Sequence, residues 1–305
     1  MTGTLERRPY GCTGEQVSII GLGGSFLHKH SFDQGVATVR HALEMGVSYF
    51  DTSPAYGEGK SQLILGEALE GRPEPYMLAT KLAAGRVISD TRSNEALRAQ
   101  LHDNLRALRR EQVDVLMAHN METTYFWEDG VEQPWDEREL FHLDRHYDFS
   151  AAPVMQVLRE ARAEGHCRFI GGSADASEQL AHFLREVAVD ACLSAHDYTL
   201  LRRQSARFVM PVIRELGIAY IVGAVFSSTG IPEGRSQDER LNVLAKRSGI
   251  SLATLTIRYL IANREISTIL VGASTPEELE ESVVAAEAGT LPPDLHHALE
   301  ELGEP

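Results

Sequence analysis

Eight short apolar runs punctuate the chain. They begin at Ser18 (SIIGLG), Tyr49 (YFDT), Met77 (MLATK), Val113 (VDVLMAH), Cys167 (CRFIGGS), Ala191 (ACLSA), Ile218 (IAYIVGA) and Thr268 (TILVGA). Within each run the hydrophobicity is continuous rather than alternating, as in a parallel strand covered on both faces. Between the runs the apolar period lengthens. Val36, Val39 and Leu43 mark one helix, which Gly46 is placed to end in a left-handed conformation. Leu97, Leu101, Leu105 and Leu108 mark another, with Ser93 as its expected N-cap. Further helical stretches cover 154–163, 180–187 and 276–288.

Strand and helix alternating eight times over roughly 250 residues predict an α/β protein of one architecture, the (β/α)₈ or TIM barrel. We expect one domain spanning 1–305, with a long loop after the fourth strand. An open doubly wound sheet would place a GxGxxG fingerprint after its first strand. The first run here ends Gly21-Leu22-Gly23-Gly24-Ser25-Phe26, so the third glycine is missing.

Residues 121–150 break the rhythm. They hold nine acidic residues, two arginines and seven aromatics, including both tryptophans, Trp127 and Trp135. Aromatics are scarce in disordered segments, so an ordered loop at the barrel mouth is expected. It could pack on the barrel rim, cover a substrate or meet another subunit. In the second case Tyr125, Trp127 and Trp135 would line a substrate pocket, since aromatic faces suit the apolar faces of pyranose rings.

The composition is that of a globular chain, 43% hydrophobic and 24% charged. The net charge of −15 argues against nucleic-acid and anionic-membrane partners. No apolar run approaches the length of about 18 residues that a membrane span needs. Residues 1–10 have no apolar signal-peptide core. Three cysteines, Cys12, Cys167 and Cys192, show no paired spacing. A cytoplasmic protein with free thiols is the expectation. His142 and His146 flank Asp144 at a spacing a metal could use, but a solvated polar face accounts for them and no metal is expected.

Active sites of these barrels lie at the C-terminal ends of the strands. The second strand ends in Asp51, with Tyr56 five residues on; the third ends in Lys81 and the fourth in His119. A carbonyl reduced by hydride needs a proton, and a phenol with a pKa near 10 is a sluggish donor. A neighbouring Lys81 ammonium would lower that pKa, Asp51 would orient the lysine, and His119 could hydrogen-bond the substrate oxygen.

The stretch Gly46-Val-Ser-Tyr-Phe-Asp51-Thr-Ser-Pro-Ala-Tyr56-Gly, with Lys81 and His119, resembles the aldo-keto reductases. The resemblance runs from about Val17 to Ser282. It implies an oxidoreductase that moves a hydride between a nicotinamide cofactor and a carbonyl or alcohol, with Asp51, Tyr56, Lys81 and His119 as its catalytic set. Gly23, Gly24, Ser25, Asp51 and Ser173 would hold the cofactor. So would Phe226, Ser227 and Ser228, and the segment that includes Gly272, Ala273, Ser274, Glu281 and Ser282. His196 stands near the family's usual glutamine and would face the substrate.

The sixth and seventh units look most like the branch of the D-threo-aldose and L-fucose dehydrogenases, which implies oxidation of an aldose at C1 to its lactone. NADP-specific members carry a lysine and an arginine beside the adenosine. This chain has Ala273, Glu277 and Glu278 there, so NAD is preferred and NADP is the alternative. The rival functions are an NADPH-dependent aldehyde or ketone reductase and a catalytically quiet nucleotide-sensing barrel. The expected partner is a small carbonyl or sugar, and self-association to a homo-oligomer stays open.

Overall fold

The computed structural model describes residues 5–72, 75–82, 88, 90–128, 139–227 and 238–303. A hairpin comes first, β1 (Arg7–Pro9) and β2 (Gln16–Ser18). Then come β3 (Ile20–Gly23), β4 (Tyr49–Asp51), β5 (Met77–Leu82), β6 (Val113–Ala118), β7 (Cys167–Ala174), β8 (Ala191–Ala195), β9 (Ala219–Gly223) and β10 (Thr268–Val271). These eight strands pair in parallel in chain order, and β10 returns to pair with β3, closing a barrel. All eight apolar runs of the sequence are these eight strands.

The helices around the barrel are α1 (Phe32–Glu44), α2 (Lys60–Leu69), α3 (Asn94–Ala107), α4 (Pro153–Ala163), α5 (Ser177–Glu186), α6 (Gln204–Leu216), α7 (Glu239–Ser248), α8 (Leu252–Leu260), α9 (Pro276–Glu287) and α10 (Pro293–Leu302). Local punctuation explains their ends. Ser93 caps α3 by accepting from the Ala96 N–H, and Gly46 follows α1 at a φ of 82°.

Two apolar clusters explain why the runs are continuous. One fills the barrel interior and includes Tyr49, Met77, Val115, Met117, Leu193 and Ile221. The other lies between the strands and the helices, with Ile20, Leu22, Phe50, Leu78, Leu116 and Ile170 among its members. Successive strand residues point to opposite faces, and both faces are covered.

The hairpin adds Tyr10 to the interior cluster, its hydroxyl 3.3 Å from that of Tyr49. Arg8 anchors it from the outside. Its guanidinium donates to the carbonyl oxygens of Ile261 (2.5 Å), Asn263 (2.6 Å) and Ile266 (3.2 Å), just past α8.

Helix α2 meets the end of α3 at Gly66, where a Cβ would stand 2.5 Å from the Ala107 carbonyl oxygen and 3.0 Å from the Leu108 carbonyl carbon. Gly66→Ala is therefore expected to cost about 1–3 kcal/mol through overpacking, despite alanine's better helix propensity. Urea unfolding would measure it; an unchanged or raised midpoint would show that α2 can move away.

Candidate active site

Asp51 closes β4, Lys81 lies in β5, and His119 follows β6 directly. Tyr56 sits in the turn between β4 and α2. Parallel pairing puts these strand ends on one rim, where all four side chains line a single cavity of about 660 Å³.

Lys81 is 1% exposed and Asp51 2%. The lysine ammonium donates to Asp51 Oδ1 at 2.5 Å and to the Thr52 carbonyl at 2.9 Å. It lies 5.1 Å from the centre of the Tyr56 ring. The His119 ring meets that of Tyr56 edge-on, centroids 5.8 Å apart, and its Nδ1 is within hydrogen-bonding distance of Ser53 Oγ at 3.1 Å. Ser53 thereby fixes the imidazole's orientation.

Burial governs the protonation of this group. It pushes the Tyr56 phenol above its ordinary value; the Lys81 charge pulls the other way and Asp51 adds to the rise. Lys81 thus lowers the phenol's pKa as expected, but burial outweighs it and the net shift is upward. Burial likewise raises the Asp51 carboxyl against the pull of Lys81. For Lys81 burial disfavours the charge, but Asp51 and Tyr56 together outweigh it and its pKa ends raised.

The same cavity is lined by Gly23, Ser25, Ser173, Phe226, Ser227, Gly272, Ser274, Glu281 and Ser282. His196 is also on the wall, exposed and at a left-handed φ of 65°. Four residues expected to contribute are not on it. Gly24 backs onto Ser61 and the Asp51 backbone, so it serves close packing. Ala273 is wholly buried. Trp127 donates its indole N–H to the Met121 carbonyl (2.8 Å) and packs edge-on against Phe149, centroids 4.7 Å apart. Tyr125 packs on Phe126 at 4.4 Å. The described part of the aromatic loop thus forms a side core with Phe141, Phe149 and Phe183 rather than a substrate wall. Trp135 and Ser228 lie outside the described residues.

Several wall residues were missed. Lys29 reaches the wall with its ammonium 3.9 Å above the Phe26 ring. Asn120 follows His119, and Asp175 stands two residues past Ser173. A polar residue one or two places past a strand end is the signal that could have found these last two. Three wall residues with side chains, Asn120, His196 and Ala224, hold left-handed backbones just past strand ends, at φ of 56°, 65° and 51°. Such strain collects at functional sites.

The wall suits a nicotinamide dinucleotide. Asp51 Oδ2 is buried, has no hydrogen-bond partner and can accept from a ribose hydroxyl. At the other end, by the start of α9, Glu278 accepts from the Ser274 N–H (2.7 Å) and from its hydroxyl (2.8 Å).

A barrel with this rim belongs to a defined class. The aldo/keto reductase family matches residues 19–304, and the chain is a member of it. It is an oxidoreductase of a family that uses nicotinamide cofactors. Among its relatives, L-galactose dehydrogenase from Arabidopsis thaliana is 30% identical over 92% of this chain and 88% of that protein. Pyridoxal 4-dehydrogenase from Microbacterium luteolum is 25% identical over 92% of both. D-threo-aldose 1-dehydrogenase from a Pseudomonas species is 24% identical over 85% of both. The holo form of an aldo-keto reductase from Bacillus halodurans superposes with a TM-score of 0.77 at 22% identity, covering 98% of this chain and 97% of that one.

No described helix is long and apolar enough to cross a membrane. Cys12 is exposed, Cys167 and Cys192 are buried, and all three are free.

Proposed function

We propose that the chain oxidises a neutral aldose at C1 to its lactone, with NAD as the preferred cofactor and Tyr56 as the general base. The observation that carries this reading is the meeting of Tyr56, Lys81, Asp51 and His119 in one cavity whose far end is acidic. A bound nicotinamide would supply the acceptor for the hydride that leaves the sugar carbon. Tyr56 takes the proton from the C1 hydroxyl. Lys81, held charged by Asp51, stabilises the phenolate that accepts this proton and becomes the neutral phenol. His119 hydrogen-bonds the same oxygen, which becomes the lactone carbonyl. Ser173, Phe226, Ser227, Gly272, Ser274, Glu281 and Ser282 would hold the dinucleotide, and Asp51 Oδ2 a ribose hydroxyl. Lys29 is available to the pyrophosphate.

The preference for NAD follows from charge. Glu278 already occupies the donors of Ser274 at the start of α9, where a 2′-phosphate would otherwise bind. With Glu281 on the same wall, a phosphate dianion meets two carboxylates. NADH is expected to bind on the order of 10-fold more tightly than NADPH by fluorescence quenching, and Glu278→Ala to narrow that gap. Tighter NADPH would overturn the cofactor assignment.

A panel of aldoses with each oxidised cofactor tests the reaction. The expected result is sugar-dependent NADH formation with a lactone product. Aldehyde reduction with NADPH and no sugar oxidation would replace this reading with a reductase.

A further inference from the structure

Strands β6 and β7 pair through Ala118 and Gly172, so the residues just past them share one corner of the rim. The Asn120 N–H donates to Ser173 Oγ at 3.4 Å, and the Met121 N–H to the Ser173 carbonyl at 3.0 Å. This lacing sets Asn120 on the wall beside His119 and brings Asp175 to the same wall.

Asn120 is 5% exposed. Its Nδ2 donates to Glu122 Oε1 at 3.3 Å, which fixes the amide's orientation and leaves Oδ1 buried without a partner. A buried acceptor without a donor is uncommon and costs stability unless a ligand supplies one. Its left-handed backbone is a conformation that asparagine tolerates better than most residues. Asp175 is half-buried and adds a carboxylate. The corner therefore presents acceptors beside the group that handles the reacting oxygen.

We propose that Asn120 and Asp175 read the substrate: each accepts a hydrogen bond from one of the hydroxyls on the two carbons next to the reacting one, and Asp175 turns away substrates that are anionic there. This deepens the proposed function and rests on it only in taking Tyr56 to mark the reacting oxygen. A plain aldehyde has no hydroxyl to donate, so it loses these bonds and leaves the buried Asn120 Oδ1 without a donor.

Asp175 also acts on the chemistry. Tyr56 shares the cavity wall with Asp51 and Lys81 from β4 and β5, His119 past β6 and Asp175 past β7. The Asp175 charge adds to the upward shift of the phenol. Neutralising it should move the alkaline limb of the rate profile to lower pH, which a merely structural residue would not do.

The test compares reduction of glyceraldehyde and of propanal, with the tighter-binding reduced cofactor, in the native protein and in Asp175→Ala, Asn120→Ala and Asp175→Asn. The native protein is expected to favour glyceraldehyde in kcat/KM. Each alanine variant should cut that preference about 10-fold, the worth of a hydrogen bond to a polar or charged group. Asp175→Asn keeps the shape and one acceptor. It should retain more of the preference and shift the alkaline limb to lower pH, which also covers the case of an alanine variant that fails to fold.

No preference in the native protein, a ratio unchanged by substitution, or an unmoved pH limb in Asp175→Asn would overturn the proposal. The two readings fail separately. Absence of aldose oxidation ends the aldose reading and leaves the aldehyde ratio intact, whereas an unchanged ratio ends only this one.

Discussion

Tyr56→Phe is expected to lower kcat by about 10²–10⁴-fold, the usual contribution of a positioned acid or base. The substitution removes one oxygen and keeps the ring, so the edge-on contact with His119 and the Lys81–Asp51 pair should persist. NADH quenching should stay within about twofold, since no cofactor contact proposed above involves the phenol. The native enzyme's pH profile supplies the sign. Burial raises the phenol's pKa, so Tyr56 is protonated throughout the neutral range. Oxidation needs the phenolate and should therefore quicken as pH rises, while reduction needs the phenol and should not. Retention of more than about a tenth of native turnover in the Phe variant would remove Tyr56 from the proton-transfer role.

Lys81→Met should be the most destabilising single change at the rim. It leaves the Asp51 carboxylate buried without its counter-charge, a situation that costs about 3–5 kcal/mol when one partner of a buried pair is lost. The deficit should shrink as pH falls, because burial already raises the Asp51 pKa and the protonated acid needs no cation. In the native protein the sign is reversed for Lys81. Its folded pKa lies above the ordinary 10.5, so its contribution is complete at neutral pH and is lost as pH climbs through that raised value. Urea unfolding at several pH values measures both effects. The double variant Lys81→Met with Asp51→Asn should recover part of the loss; a single variant costing under about 1 kcal/mol would mean that Asp51 is neutral in the fold.

How far the sequence reaches is set by what each element depends on. A parallel strand buried on two faces writes its burial into consecutive residues, so all eight could be read, as could the capping role of Ser93. Helix α8 could not: six of its nine residues are buried, and no polar stripe survives to show its period. Helix α6 carries Pro211 inside it, which reads as a break. The three-residue strands of the hairpin are too short to show a period.

At the site, Asp51, Lys81 and His119 were legible because strand ends fix their positions. Asn120 and Asp175 depend on loop backbone past those ends. Trp127 shows the limit of composition: its aromatic setting was plain, but not that it turns toward Phe149 and Phe183 instead of the cavity. The direction of the Tyr56 shift turned on burial outweighing a nearby ammonium, a balance that residue order does not contain.

Closure between β10 and β3 has a consequence for synthesis. The partner of β3 on one side is some 250 residues downstream, and so are the carbonyls that hold Arg8. A nascent chain that has not yet emerged past Val271 carries two bare sheet edges and a loose hairpin, however well its earlier units have formed. Ribosome-bound or truncated forms ending before the eighth strand should thus be open to pairing with one another, and protection should arrive late and all at once, when the last stave reaches the first.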